Sequence, residues 1–172
     1  MGIMNVDRLL LWGARGALGL ILLEPLVIGS FGLTASLWPK AVSFRALVEI
    51  AFIFYILLLY RNPREYMPRF SLLSWALSAF VGALLLASIF GISLAQSFWG
   101  DAWRTEGFIF YLHLLVFFFV ASTIFFRRGE WLWLLKGVVA VGGVASAVGV
   151  LQAFGFSLPF VFMLESGRVS GT

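Results

Sequence analysis

The sequence predicts an all-α fold: a polytopic transmembrane helix bundle of about five spans with its N-terminus in the cytoplasm. Three observations lead there. Hydrophobic residues make up 62% of the 172 and charged residues 12%, with a mean hydropathy of +1.02; a soluble domain is nearer half apolar and a quarter charged. Five apolar stretches reach about 20 residues, the length needed to cross a hydrocarbon layer about 30 Å thick. The breaks between them are short, polar and unequal in lysine and arginine.

The first expected span covers residues 9–29. It reads as a retained helix, not a signal peptide, because its apolar run exceeds the usual core of about 7–15 residues and Arg15 and Glu24 interrupt it. "SLWPK" separates it from the second span, residues 41–60, with Pro39 disfavouring helix at Trp38. "RNPREYMPR" then leads to the third span, residues 70–90, where Ala79, Ala83 and Ala87 recur at a spacing that predicts close helix approach. The fourth and fifth, residues 107–126 and 131–154, are divided by the tight charged turn "FRRGE". The fifth repeats the small-residue signal at Gly142 and Ser146 and at Ala145 and Gly149. Residues 1–172 are expected to form a single transmembrane domain, without a soluble domain or an internal repeat.

Orientation follows from the loop cations. With the N-terminus inside, Arg8, Arg61, Arg64, Arg69, Arg127 and Arg128 face the cytoplasm, against Lys40, Arg104 and Arg168 outside. The net charge of +4 is thereby spent on membrane flanks, a topology signal and not a nucleic-acid patch. The absence of cysteine excludes disulfides and thiolate chemistry, and the single histidine, His113, excludes a Cys/His metal cluster. No metal or cofactor is expected.

Four ionisable residues fall inside the expected spans: Arg15, Glu24, Arg45 and Glu49. A charge there costs about 2.5–3.5 kcal/mol even on the lenient insertion scale. Arg45 and Glu49 lie four apart on one helix face, and antiparallel packing would bring Glu24 to similar depth, so Arg45 is expected to bridge both carboxylates. Arg15 is expected to snorkel toward the inner face. The group reads either as a packing ion pair or as a polar patch beneath an outward cavity for an anionic head group. His113 reads either as a proton carrier or as a satisfied polar group between helices. Phe108, Phe110, Phe117, Phe118 and Phe119 beside it suit a polyprenyl groove or plain lipid contact.

The connection "FWGDAWRTEG", residues 98–107, concentrates charge and tryptophan. Trp99 and Trp103 are expected to share one helical face at the membrane interface, Asp101 and Arg104 to pair, and Gly100 and Gly107 to allow sharp entry and exit. Together with "FRALVEI", "LQAFG" and the closing "GRVSGT", this loop resembles the bacterial O-antigen ligase family. The resemblance implies a multi-pass glycosyltransferase of the bacterial inner membrane, serving cell-envelope lipopolysaccharide biosynthesis without a metal. Such enzymes pass a glycan from undecaprenyl diphosphate to a lipid, protein or glycan acceptor at the periplasmic face. It implies that Arg45, Arg104 and Arg168 approach the diphosphate, that Glu106 orients Arg104, that Glu49 shares the Arg45 site and that Trp99 stacks or anchors. The catalytic residues are then expected in a later half, this chain being the N-terminal part. Two rival readings stand beside it: a transporter or lipid flippase segment in which Arg45 and Glu49 line the path, and a small structural membrane subunit anchored by the loop.

Overall fold

The computed structural model describes residues 3–26, 37–100 and 106–154, and every described element is helical. In chain order these are α1 (Ile3–Ile21), a 3-10 turn (Glu24–Leu26), α2 (Leu37–Arg61), α3 (Pro63–Tyr66), α4 (Leu72–Ile89), α5 (Leu94–Trp99), α6 (Phe108–Ile124) and α7 (Arg128–Ala153). Side-chain contacts give the direction of each long helix. Asp7 meets Arg61, Gly13 meets Phe54 and Glu24 meets Ser43, so α1 and α2 are antiparallel. Phe44 meets Phe110 and Glu49 meets His113, so α2 and α6 run parallel. Phe70 meets Phe119 and Phe80 meets Tyr111, so α4 opposes α6. Arg15 meets Glu130 and Leu22 meets Gly137, so α7 follows α1. The bundle therefore has a loop end, with α5 and Gly107, and a basic end with Arg8, Arg61, Arg64, Arg69, Arg127 and Arg128.

The core follows helical spacing. Ala14, Ala17, Leu18 and Ile21 of α1 face Val48, Ala51, Tyr55 and Leu58 of α2, with Ala14 and Ala51 completely buried. Small side chains at such a seam let two helices approach closely and gain dispersion contacts. At Gly13 the approach is tightest, because an added Cβ would stand 2.9 Å from the Phe54 ring. Val120, Ala121 and Ile124 of α6 close the third side, and Leu134 brings in the first half of α7. On α4 the buried positions are Ser74, Val81 and Ser88, a seven-residue repeat that keeps one stripe turned toward a neighbouring helix.

Among the described residues three helical segments are long and apolar enough to cross a membrane: Lys40–Arg61, Leu72–Ile89 and Arg128–Leu151. α6 is apolar but has 17 residues, roughly 25 Å at about 1.5 Å per residue. α1 carries Asp7, Arg8 and Arg15 along its length. The structure also corrects several expectations. α1 begins at Ile3 and stops at Ile21, short of residue 29, and a 3-10 turn containing Pro25 follows; proline cannot donate to the helical ladder and disfavours helix at Glu24. Pro39, expected to break structure, lies in the first turn of α2, where its missing N–H would have no helical partner anyway. Ala79, Ala83 and Ala87 are exposed, so the α4 alanines mark no seam among the described residues; on α7 Gly142 and Ser146 are exposed and Ala145 and Gly149 half-buried. The face of α4 that packs is the serine and valine stripe instead.

Candidate functional site

The polar residues of α2 near the loop end occupy successive turns. Ser43 Oγ donates to Glu24 Oε2 at 2.9 Å and lies 3.2 Å from the Lys40 carbonyl. The Lys40 ammonium adds its field at Glu24, whose second carboxylate oxygen is buried with no hydrogen-bond partner among the described residues. Nearly two turns further, Glu49 Oε1 lies 3.2 Å from His113 Nε2 across the α2–α6 seam. Phe44 fixes that seam, its ring centroid 5.9 Å from Phe110 and 6.1 Å from Phe117. Glu24 is thus attached to Ser43 and Glu49 to His113. Arg45 stands between them, one turn from Glu49 and within reach of its charge.

His113 Nδ1 lies 2.7 Å from the Ile109 carbonyl. A carbonyl only accepts, so the hydrogen belongs on Nδ1, and Nε2 then faces Glu49 as an acceptor unless the ring is doubly protonated. One proton therefore joins Nε2 and Oε1, held by the imidazole or by the carboxyl. The two sides differ in access: the Glu49 side chain is 67% exposed and that of His113 16%. A solute arriving at the seam meets the exposed carboxyl side of this pair first.

The 98–107 connection is pinned at its base. α5 is capped by Ser93 and ends at Trp99, and Gly100 follows with φ 83°, its N–H donating to the Gln96 carbonyl at 2.8 Å. That left-handed backbone suits glycine and stops the helix. An added Cβ at Gly107 would fall 2.3 Å from the Gly100 nitrogen and from the Phe98 carbonyl oxygen, so the strands of the loop touch at their bases. The Phe98 ring also packs on Phe108 with centroids 5.3 Å apart. Trp99 and Glu106 flank this closure, both exposed. Asp101, Trp103, Arg104 and Arg168 lie outside the described residues, so the structure groups Arg45 and Glu49 with His113 and sets Trp99 and Glu106 at the same end.

Arg15 gains an ion-pair partner. It points toward the basic end, where Nη2 donates to Glu130 Oε1 at 2.5 Å and lies 3.5 Å from the Ile124 carbonyl, with the guanidinium over the Phe125 ring. Glu130 Oε2 accepts in turn from the Arg127 N–H at 3.2 Å. These contacts tie α1 to the α6–α7 turn. Nothing in the sequence signals the partner, which lies 115 positions away. At the same end Arg61 donates to Asp7, and Asn62 donates to its other oxygen at 2.9 Å. The hydrogen bond from Arg61 is the main reason the Asp7 carboxyl titrates below its ordinary value. Burial pushes the Tyr66 phenol up. Comparison with protein-family models, with curated proteins and with solved structures finds no match to this chain.

Proposed function

We propose that this chain is the carrier-binding part of an O-antigen ligase-like glycan transferase, crossing a bacterial cytoplasmic membrane five times with its N-terminus inside. In this reading the loop end faces the periplasm and receives an undecaprenyl diphosphate-linked glycan. The observation that carries it is the juxtaposition of Arg45 with the Glu49–His113 proton-sharing pair, at the end of the bundle that also bears the 98–107 loop. Transfer from a diphosphate carrier needs cations on the departing phosphates and a proton acceptor for the incoming hydroxyl. Arginine suits the first need through its planar fork, and Arg45, Arg104 and Arg168 are the candidates. Glu106 orients Arg104, Trp99 anchors the loop at the interface, and Glu49 with His113 supplies a local proton acceptor.

The test is glycan transfer from an undecaprenyl diphosphate donor to a lipid acceptor in membranes containing the protein. Arg45→Ala and Arg104→Ala are each expected to lower transfer at least tenfold, with unchanged protein in the membrane. Wild-type transfer by both would remove the assignment. Movement of the lipid-linked donor across the bilayer without bond formation would favour the translocation reading instead.

A further inference from the structure

At the basic end, away from the glycan site, a recess of about 420 Å³ opens between the α3–α4 connection and the α6–α7 turn. That volume falls within the usual range of small-ligand sites, about 300–1,000 Å³. Arg64 and Arg69 supply two cations to its lining and Glu65 one anion, while Ser122, Thr123 and Trp131 form the opposite wall. The recess lies where Lys40–Arg61 ends and where Leu72–Ile89 and Arg128–Leu151 begin, at the level where hydrocarbon gives way to head groups. Its shoulders are apolar and open: Met67 is 67% exposed, Phe126 53% and Trp131 41%. An aromatic side chain at such a boundary suits the lipid interface.

The hydroxyls refine the chemistry. Ser122 Oγ donates to the Phe119 carbonyl at 3.1 Å and Thr123 Oγ1 to the same oxygen at 2.8 Å. With its proton committed, the exposed Ser122 presents lone pairs that repel a bare phosphate oxygen and accept from a hydroxyl, while Thr123 is also hydrogen-bonded with the buried Tyr55. Two arginines for an anion and an open acceptor for an alcohol together select a phosphodiester with a hydroxylated head group. We propose that this recess binds the head group of an anionic, hydroxyl-bearing glycerophospholipid of the phosphatidylglycerol type. The phosphodiester lies between Arg64 and Arg69, the glycerol hydroxyls reach Ser122, and the acyl chains run along the exposed apolar shoulder. The site stands independently of any glycan transfer at the other end.

The experiment is native mass spectrometry of the purified full chain released from nanodiscs holding equal phosphatidylglycerol and phosphatidylcholine. Selective retention of phosphatidylglycerol is expected, falling roughly thirtyfold in the Arg64→Gln, Arg69→Gln double variant, since each of the two basic residues near an anionic surface is worth about 1 kcal/mol. The Arg8→Gln, Arg128→Gln double variant removes the same charge from the same end and is expected to retain lipid as wild type does. Thermal melts of both variants in phosphatidylcholine nanodiscs confirm that they remain folded. Equal retention of the two lipids overturns the site. Equal loss in both double variants overturns it in favour of a diffuse surface potential. Displacement by millimolar inorganic phosphate overturns the lipid as occupant in favour of a free anion.

Discussion

Gly107 and Gly82 are the same residue in opposite circumstances. At Gly107 a methyl group would collide with backbone atoms of Phe98 and Gly100, which cannot rotate away, whereas at Gly82 on α4 nothing lies within 4 Å. Gly107→Ala is therefore expected to lower stability by about 1–3 kcal/mol, as overpacking does, and to open the 98–107 loop to protease. Gly82→Ala fills open space on a helix and is expected to raise stability by up to about 1 kcal/mol. Thermal melts in detergent, with limited proteolysis of the loop, check both signs. Two loop glycines were legible because a turn between two helices asks for them. His113 was legible as a candidate but its partner was not: parallel α2 and α6 bring together positions 64 apart, and that direction appears only once the helices are packed.

Between elements, the Arg15–Glu130 pair is the attachment that holds the start of α7 to α1. Each side chain is about a quarter exposed, so its contribution lies between that of a surface pair and a buried one. Glu130→Gln is expected to cost about 1–2 kcal/mol by leaving the Arg15 charge weakly matched. The Arg15→Leu, Glu130→Leu double variant is expected to lose less than the sum of its single changes, which a double-mutant cycle of melting curves measures. The Asp7–Arg61 contact closes the α1–α2 pair at the same basic end and adds a pH dependence. The Asp7 carboxyl is lowered on folding, chiefly by Arg61. Its stabilisation is therefore present above its unfolded value, about 3.9, and is lost as pH falls through the lower folded value. Asp7→Asn is expected to flatten that acid limb in melts taken from neutral pH down to about 3. The five long helices were legible from apolar run length, whereas the short α3 and α5 were not. Helix ends were less legible: Pro25 and Pro39 look alike in sequence, and only their place decides the outcome, one terminating α1 and the other sitting in the first turn of α2.

Across the molecule, helix direction and cation placement agree. Reversals between α1, α2, α4, α6 and α7 gather Arg61, Arg64, Arg69, Arg127 and Arg128 at one end and leave Lys40 at the other. Lysine and arginine favour the cytoplasmic side of a membrane, so the basic end is the inner one in the five-span reading. α6 is the critical helix for that reading, because its 17 residues fall short of a bilayer core of about 30 Å. A short span can still cross if the bilayer thins around it at a modest cost. The chain contains no cysteine, so single-cysteine reporters need no background removed. Glu65→Cys and Arg128→Cys lie at the basic end and Glu106→Cys at the loop end, all three at exposed positions. A membrane-impermeant maleimide applied to spheroplasts is expected to label only the Glu106→Cys variant, and lysed membranes to label all three. External labelling of the Arg128→Cys variant together with Glu106→Cys would mean that α6 turns back without crossing. The basic recess and the loop would then share a compartment with the outside, and both the span count and the inner placement of the basic end would have to be abandoned.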